Sequence, residues 1–243
     1  MDKKQVLGNI NQIFKAIFGV EGNFADPDIF KKVYAADLSA LPHQSICDDN
    51  KEPTTVRASD SGFKALSSSA IDERFMKDQF IEPTRKISDL DDLFTAFDKI
   101  STRRGDANIN SNYVTDSTNV HNSSFVFGSQ GVSQSQHVYY SYGIEESEFI
   151  AASSDVFNSQ YCIRATGVNN CRLSFAIDFS SKIDNSFFIH NGLNLTDCMF
   201  SHHIVERQYC IANMQYEPDE YIKIKQLVFN NWPAIVKKYV LKI

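Results

Sequence analysis

Apolar and small residues recur at every third position through the second half of the chain. From Val114 to Ile204, each such position holds Val, Ile, Leu, Ala, Gly, Ser or Cys, and none holds a charged residue. The spacing fits neither an amphipathic helix, whose period is about 3.6 residues, nor a strand that alternates with period two. A regular spacing over this length indicates a structural repeat.

Rows of twelve residues align further features of this segment. One column collects residue types that tolerate a left-handed backbone, and we expect a corner of a coil there: Gly131, Gly143, Asp155, Gly167 and Asn191. Four inward residues per row predict a slim parallel β-solenoid whose coils stack about 4.7 Å apart. Coils of eighteen or twenty-four residues stay open, because both are multiples of the six-residue subperiod, but the glycine column favours twelve.

The inward positions also change character along the repeat. Before Cys171 the rows alternate Val or Ile with Ser, as in Val120 and Ser123, and beyond Cys171 the order inverts, so that Ser180 and Ser186 flank Ile183. Close packing requires one side of a narrow core to shrink where the facing side grows. The inversion therefore supports a single shared interior.

The spacing over residues 114–215 resembles that of beetle antifreeze proteins, which are β-solenoids with twelve-residue coils. The Thr-x-Thr ladder of those proteins is absent here, so the resemblance implies a fold and no ice binding. The segment "RQYCIANMQYEPDEY" at 207–221 is similar to the closing segment of uncharacterised bacterial parallel β-helix proteins. This likeness implies a fold and no activity, and right-handed winding is expected as for parallel crossovers generally. We expect a bacterial or phage-encoded protein.

Helical patterns flank the repeat on both sides. A helix near the N-terminus is predicted by one apolar stripe: Val6, Ile10, Ile13, Phe14, Ile17 and Phe18. Asp26 with Pro27 predicts the start of a second helix, and Ser88 with Asp91 resembles a capping pair before a third, "DLDDLFTAFDKI". The polar segment 42–70 is expected to be a long loop or an extended arm.

The C-terminal segment predicts a helix that covers the end of the solenoid. Glu217 and Pro218 stand in helix-start positions, and Pro233 should divide the segment into two helices. The sequence therefore predicts a mainly β protein with α-helices in three parts. These are a helical region at 1–109, a right-handed parallel β-solenoid at 110–216 and capping helices at 217–243.

One outward column of the repeat is apolar throughout, and its neighbour is nearly so. The column contains Phe127, Tyr139, Ala151, Ile163, Phe175, Phe187, Met199 and Ile211. Such a stripe is either covered by the flanking helices or is an interface. In the second case Tyr139, Phe175, Phe187 and Phe188 would anchor a homodimer or another protein partner, and the protein would be a scaffold or interaction protein.

Asp178, His190 and His202 fall in another outward column on successive coils. Stacked imidazole and carboxylate groups could perform acid/base chemistry, and His190, His202 and His203 are candidate ligands of a divalent metal. The alternative function is thus an enzyme or a carbohydrate-binding solenoid. No phosphate loop, nucleophile elbow or HExxH motif occurs, and no cofactor is predicted.

Composition narrows the class of protein. The 243 residues are 42% hydrophobic and 22% charged, which suits one large or two small globular domains. The net charge of −6 argues against a nucleic-acid partner and is too modest for a DNA mimic. We expect a cytoplasmic protein with no membrane partner, because no apolar run resembles a signal peptide or a bilayer span and the five cysteines lack metal or disulfide spacing.

Overall fold

The structure is a computed structural model that describes residues 1–22, 24–60 and 62–241, so residues 242 and 243 of the expected C-terminal cap lie outside it. The helices are α1 (Lys3–Phe18), α2 (Pro27–Tyr34), α3 (Ser68–Met76), α4 (Leu90–Ile100), α5 (Pro218–Asn230) and α6 (Trp232–Ile235), with a 3₁₀ turn at Ala58–Asp60 and a π-helical turn at Val236–Val240. Strands β1 to β5 are His43–Ile46, Pro53–Val56, Lys64–Leu66, Thr102–Arg104 and Asn108–Ile109. Strands β6 to β12 are Asn112–Thr115, Thr118–His121, Ser124–Phe127, Gln130–Ser133, Gln136–Tyr139, Tyr142–Glu145 and Glu148–Ala151. Strands β13 to β19 are Ser154–Phe157, Gln160–Asp178, Ser181–Asp184, Phe187–His190, Leu193–His202, Val205–Ile211 and Met214–Gln215.

A parallel β-solenoid of about nine turns forms the body of the protein, as predicted. Its parallel strand pairs join residues twelve positions apart, from Asn108 and Val120 in the first coils to Cys198 and Cys210 in the last. The coil length of twelve is therefore confirmed, and coils of eighteen or twenty-four residues are excluded. A short antiparallel strand, β19, closes the final coil.

Inward serines occupy the bends between successive strands. The Ser129 hydroxyl donates to the carbonyl of Phe127 at 2.9 Å and accepts the backbone N–H of Ser141 at 3.0 Å. Ser141 repeats the arrangement with Tyr139 and Ser153. Since buried backbone N–H groups must find acceptors, the hydroxyls complete the hydrogen bonding between coils at the bends, while Val and Ile fill the core under the strands.

The long strand β14 explains why the alternation inverts. Before β14, the strands centre on residues such as Val126 and Val132; after it, they centre on Ile183 and Ile189. The bends thus move by three residues, and β14 runs through Ala165, Cys171 and Ile177, which continue the bend positions of the earlier coils. Serine occupies the bends both before and after β14, so the shift of the bends is the physical reason for the inverted pattern around Ser180.

The column of Gly131 and Gly143 has left-handed backbone angles, with φ near +63°, but its assignment as a corner is wrong. Gly131 lies inside β9 and Gly143 lies inside β11. Positive φ values recur at every third residue from Asn110 to Ala212, including Phe and Leu positions. The glycines mark one of several equivalent left-handed positions, because the stacked coils hold other residue types in the same conformation.

The flanking helices match the sequence pattern closely. The predicted stripe of α1 is buried, and Asp26 caps α2 by accepting the N–H of Asp28. The cap of α4 is Asp89 and not Ser88, because the Asp89 carboxylate accepts the N–H of Asp92. The segment is divided into two helices, as predicted: α5 ends at Asn230, and Pro233 lies in the first turn of α6.

Residues 42–60 and 62–70 contain three short strands, and the expectation of a long loop is wrong. Strands β1 and β2 form an antiparallel hairpin, and β3 pairs with β4 in parallel. The hairpin is fixed to the first coils because Gln44 donates to Asp116 and the backbone N–H of Ala58 donates to Gln130. Short β pieces of this kind have too few residues to show a clear period in the sequence.

Candidate functional sites

The predicted aromatic anchors lie inside the protein. Tyr139, Phe175 and Phe187 are each 0% exposed. The Phe175 ring packs 5.0 Å from Trp232 and 5.4 Å from Phe18. The assignment of these three residues to an exposed partner surface is therefore wrong. The chain's own amphipathic helices cover the stripe, which was the other alternative that the sequence left open.

Phe188, the fourth predicted anchor, is only half-buried and lines a cleft. The cleft has a volume of about 870 Å³ and lies between the solenoid, the loop after α2 and the final π-helical turn. We call it the Asp/His cleft and define it by its lining residues: Asp37, Arg164, Thr166, Ala176, Ile177, Asp178, Phe188, Ile189, His190, Phe200, His202 and Tyr239. Its volume is typical of sites for small molecules.

The structure brings Asp178, His190 and His202 together on one wall of this cleft. His190 Nδ1 lies 2.9 Å from Asp178 Oδ2, and the rings of His190 and His202 are 5.8 Å apart. A carboxylate at this distance favours the proton on Nδ1, which leaves His190 Nε2 as a hydrogen-bond acceptor or a general base. The wall can thus accept protons or hydrogen bonds from a bound molecule.

One end of the cleft is closed by an ion pair between a mostly buried arginine and an exposed aspartate. The Arg164 side chain is 9% exposed, and its two terminal nitrogens lie 3.0 and 2.9 Å from the carboxylate oxygens of Asp37. The same guanidinium donates to the carbonyl of Tyr34 at 2.7 Å. The bidentate pair fixes the loop after α2 against the solenoid and balances the charge of Arg164.

A metal centre is not formed in the described part of the chain. His203 lies beside this wall, with its Nδ1 3.0 Å from the Asn191 side-chain nitrogen. Across residues 1–22, 24–60 and 62–241, no group of three or more His, Cys, Asp or Glu side chains is placed to share an ion. The candidate ligands His190, His202 and His203 are neighbours without the geometry of a site.

The inward cysteines behave as core residues. Cys162, Cys171 and Cys198 are buried, and burial raises the pKa of each thiol, to about 12 for Cys171 and about 11 for Cys198. A thiol with a raised pKa carries little nucleophilic thiolate at neutral pH. These side chains fill space in the solenoid.

Helix α4 carries an exposed apolar face. Its apolar side chains are 43–66% exposed: Leu90, Leu93, Phe94, Phe97 and Ile100. Neither α4 nor α3 contributes a buried residue. The sequence predicts this helix, but not that its apolar side chains face solvent.

Sequence reasoning missed Arg164, Ala176 and Tyr239 as parts of the cleft. Arg164 and Ala176 belong to the second, nearly apolar outward column, and a charged residue in that column was the available signal. Tyr239 comes from a segment that the repeat does not include, so only the packing of the C-terminal turns places it here.

Neither the sequence nor the structure matches a known protein family, a curated protein or a solved structure. The solenoid is therefore established by its own geometry and not by relatives. Within the three described ranges, no helix combines the length and the apolar character that crossing a bilayer demands.

Proposed function

We propose that this protein is a self-associating interaction protein whose contact surface is the apolar face of α4. The observation that supports the proposal is the exposure of all five apolar side chains on this face, Leu90, Leu93, Phe94, Phe97 and Ile100. Contiguous exposed apolar surface marks interaction sites in soluble proteins. This surface replaces the covered stripe as the place where a partner binds.

The helix also needs a partner for its own stability. It has eleven residues, and isolated helices shorter than about 12–15 residues are marginal in water. Since the structure gives α4 no buried face, contact with another chain would supply the packing that stabilises most helices in proteins. The solenoid then acts as the rigid body that carries this contact surface.

The apolar face of α4 is complementary to a second copy of itself. Its charged residues Asp91, Asp92 and Lys99 lie on the sides of the helix away from this face. In an antiparallel pair of α4 helices related by a two-fold axis, these charges stay in solvent and the two helix dipoles oppose. Apolar residues at positions 90, 93, 94, 97 and 100 would form the shared seam.

Solution mass tests this proposal directly. We expect the wild-type protein to be a dimer by light scattering after size exclusion, and Phe94→Glu to be a folded monomer, because a charge at the centre of the seam would be buried on pairing. Circular dichroism and the Tm would show that the solenoid is intact. The effect on mass should be complete at micromolar protein concentration.

Thr95→Glu is the matched control, because Thr95 is exposed on the same helix and lies off the apolar face. It should leave the dimer unchanged. A wild-type monomer would contradict self-association, and a Phe94→Glu protein that remains dimeric would exclude α4 as the interface.

A further inference from the structure

A short stack of rings in the Asp/His cleft ends at an alanine. Phe188 and Phe200 occupy the same outward column on successive coils, with their rings 4.7 Å apart and 8° from parallel. Twelve residues before Phe188, the same column holds Ala176, and twelve before that it holds Arg164. Because coils rise by about 4.7–4.9 Å, Arg164 and Phe188 are separated by about 9 to 10 Å along the solenoid. This is enough for one planar ring between them.

The side chains around the Ala176 coil leave this space open to the cleft. Tyr239 lies 5.9 Å from Phe188 and 5.8 Å from Phe200, so it stands beside the pair and not above Phe188. A second stack, in a different outward column, runs through five coils at ring spacings of 4.4–4.8 Å: Tyr113, Phe125, His137, Phe149 and Tyr161. Successive coils can therefore hold rings at stacking distance, and the Phe188–Phe200 stack stops at Ala176.

The wall next to this space presents hydrogen-bond acceptors. Asp178 lies two residues after Ala176 on the same strand, β14. Its Oδ2 accepts from His190, while Oδ1 has no hydrogen-bond partner among the described residues. His190 Nε2 is a second acceptor when the proton is on Nδ1. A ring in this position would need N–H donors on the edge that faces Asp178.

The charges of the cleft select against anionic ligands. Asp37 balances the charge of Arg164 through the bidentate pair. One oxygen of the Asp178 carboxylate already accepts a hydrogen bond from His190. A phosphate group would meet these carboxylates with no free cation among the described lining residues.

We propose that the Asp/His cleft binds a planar, uncharged heteroaromatic ligand that carries an amino group beside a ring N–H, as the guanine ring does. The ring stacks on Phe188 at the level of Ala176, below Arg164, and its two N–H donors face the Asp178 carboxylate. Stacking on aromatic or guanidinium groups combined with recognition of the ring edge is a common way to hold a nucleobase. The remaining volume accommodates a sugar, so the free nucleoside fits better than the nucleotide.

Guanosine is the first probe, and the single tryptophan reports its binding. Trp232 lies 6.2 Å from Phe188. We expect guanosine to change Trp232 emission with saturation and with a Kd on the order of 10–100 μM, the affinity expected for a ligand of this size. Inosine lacks only the amino group and should bind at least about tenfold more weakly, because a site built for a donor rejects the analogue without it. Guanosine 5′-monophosphate should also bind more weakly than guanosine.

Ala176→Phe tests the position of the ring. A phenylalanine fits the backbone there, since Ala176 has φ +54° and Phe188 and Phe200 have φ values of +56° and +50°. The new ring should fill the space, extend the stack and weaken guanosine binding by at least about 100-fold. Ala212→Phe is the matched control, because Ala212 is exposed, has φ +51° and belongs to the same column beyond Phe200, outside the cleft lining.

Asp178→Asn tests the recognition of the ring edge without changing its shape. It should weaken guanosine binding at least about tenfold while circular dichroism and the Tm remain those of the wild type. Absence of saturable guanosine binding to the wild type would overturn the proposal. Equal affinity for inosine, or full affinity in either folded variant, would overturn it as well.

Discussion

At the scale of single residues, the inward serines hold the bends of the solenoid through two hydrogen bonds each. We expect Ser141→Ala to lower the free energy of unfolding by about 1–3 kcal/mol, because the buried N–H of Ser153 loses its acceptor. Urea denaturation at neutral pH measures the change. Ser133→Ala, at a half-buried outward position in β9, is the control and should change stability by less than about 0.5 kcal/mol. Equal effects of both substitutions would show that the hydroxyl contributes little beyond its volume.

His137 lies in the five-ring stack of the solenoid, and its protonation should make the stability of the protein depend on pH. Its ring lies 4.7 Å from Phe125 and 4.4 Å from Phe149, nearly parallel to both. Burial lowers the pKa of His137, while the nearby Glu148 acts in the opposite direction more weakly. The folded protein therefore favours the neutral ring. Stability should be unaffected by this group above the ordinary histidine pKa of about 6.5 and should fall as the pH drops below that value, because the unfolded chain then binds more protons.

His137→Phe should remove this part of the pH dependence. Phenylalanine occupies the same left-handed position at Phe125 and Phe149, so the substitution should be tolerated and should add about 0.5–1 kcal/mol of ring packing. Urea denaturation at pH 7.5 and pH 5 should show a larger loss of stability at pH 5 for the wild type than for the variant. Parallel losses in the two proteins would contradict the assignment to His137.

At the scale of elements, the apolar stripe is the surface on which α1 and the C-terminal helices assemble. We expect Phe175→Ala to lower the free energy of unfolding by about 3–5 kcal/mol, since its ring is fully buried between Phe18, Tyr34 and Trp232. Phe179→Ala removes an exposed ring from the same strand region and should change stability by less than about 1 kcal/mol. If Phe175→Ala changed only the solution mass and not the stability, the stripe would be an interface after all.

The sequence predicts those elements whose burial follows a regular period. The stripe of α1 is an example, because its six residues recur at helical spacing and are all buried in the cluster that α1 shares with the solenoid. The hairpin of β1 and β2 is too short for a period to emerge, and the cap of α4 depends on a local choice between Ser88 and Asp89. A periodic pattern indicates that a face is apolar, but not what covers that face. The buried stripe of the solenoid and the exposed face of α4 therefore look alike in the sequence.

The candidate cleft shows the same limit. Asp178, His190 and His202 come together because twelve-residue spacing places them in one column, which the sequence predicts. Asp37 and Tyr239 come from the two flanking regions, and no repeat relates them to the column. The cleft exists only because the loop after α2 and the final turn dock on the solenoid, and this docking depends on side-chain packing between distant segments.

At the scale of the whole molecule, the solenoid is a stack of equivalent coils, so its length should be adjustable in steps of twelve residues. Deletion of residues 124–135 places Val138 and Ile144 over Val114 and Val120 and restores each serine bend, and α1 keeps its main contacts with β10, β12 and β14. We expect a folded protein whose Tm is lower by roughly 5–10 °C, because one coil of core and its contacts with the hairpin are lost.

Deletion of residues 124–134 is the control. It shifts every later position by one, so that His137, Tyr140 and Glu146 would point into the core and the coils could not pack. Circular dichroism and thermal unfolding distinguish the two. A protein that tolerates both deletions equally would show that the columns do not determine the stacking of the coils, and one that tolerates neither would show that the flanking helices fix the number of coils.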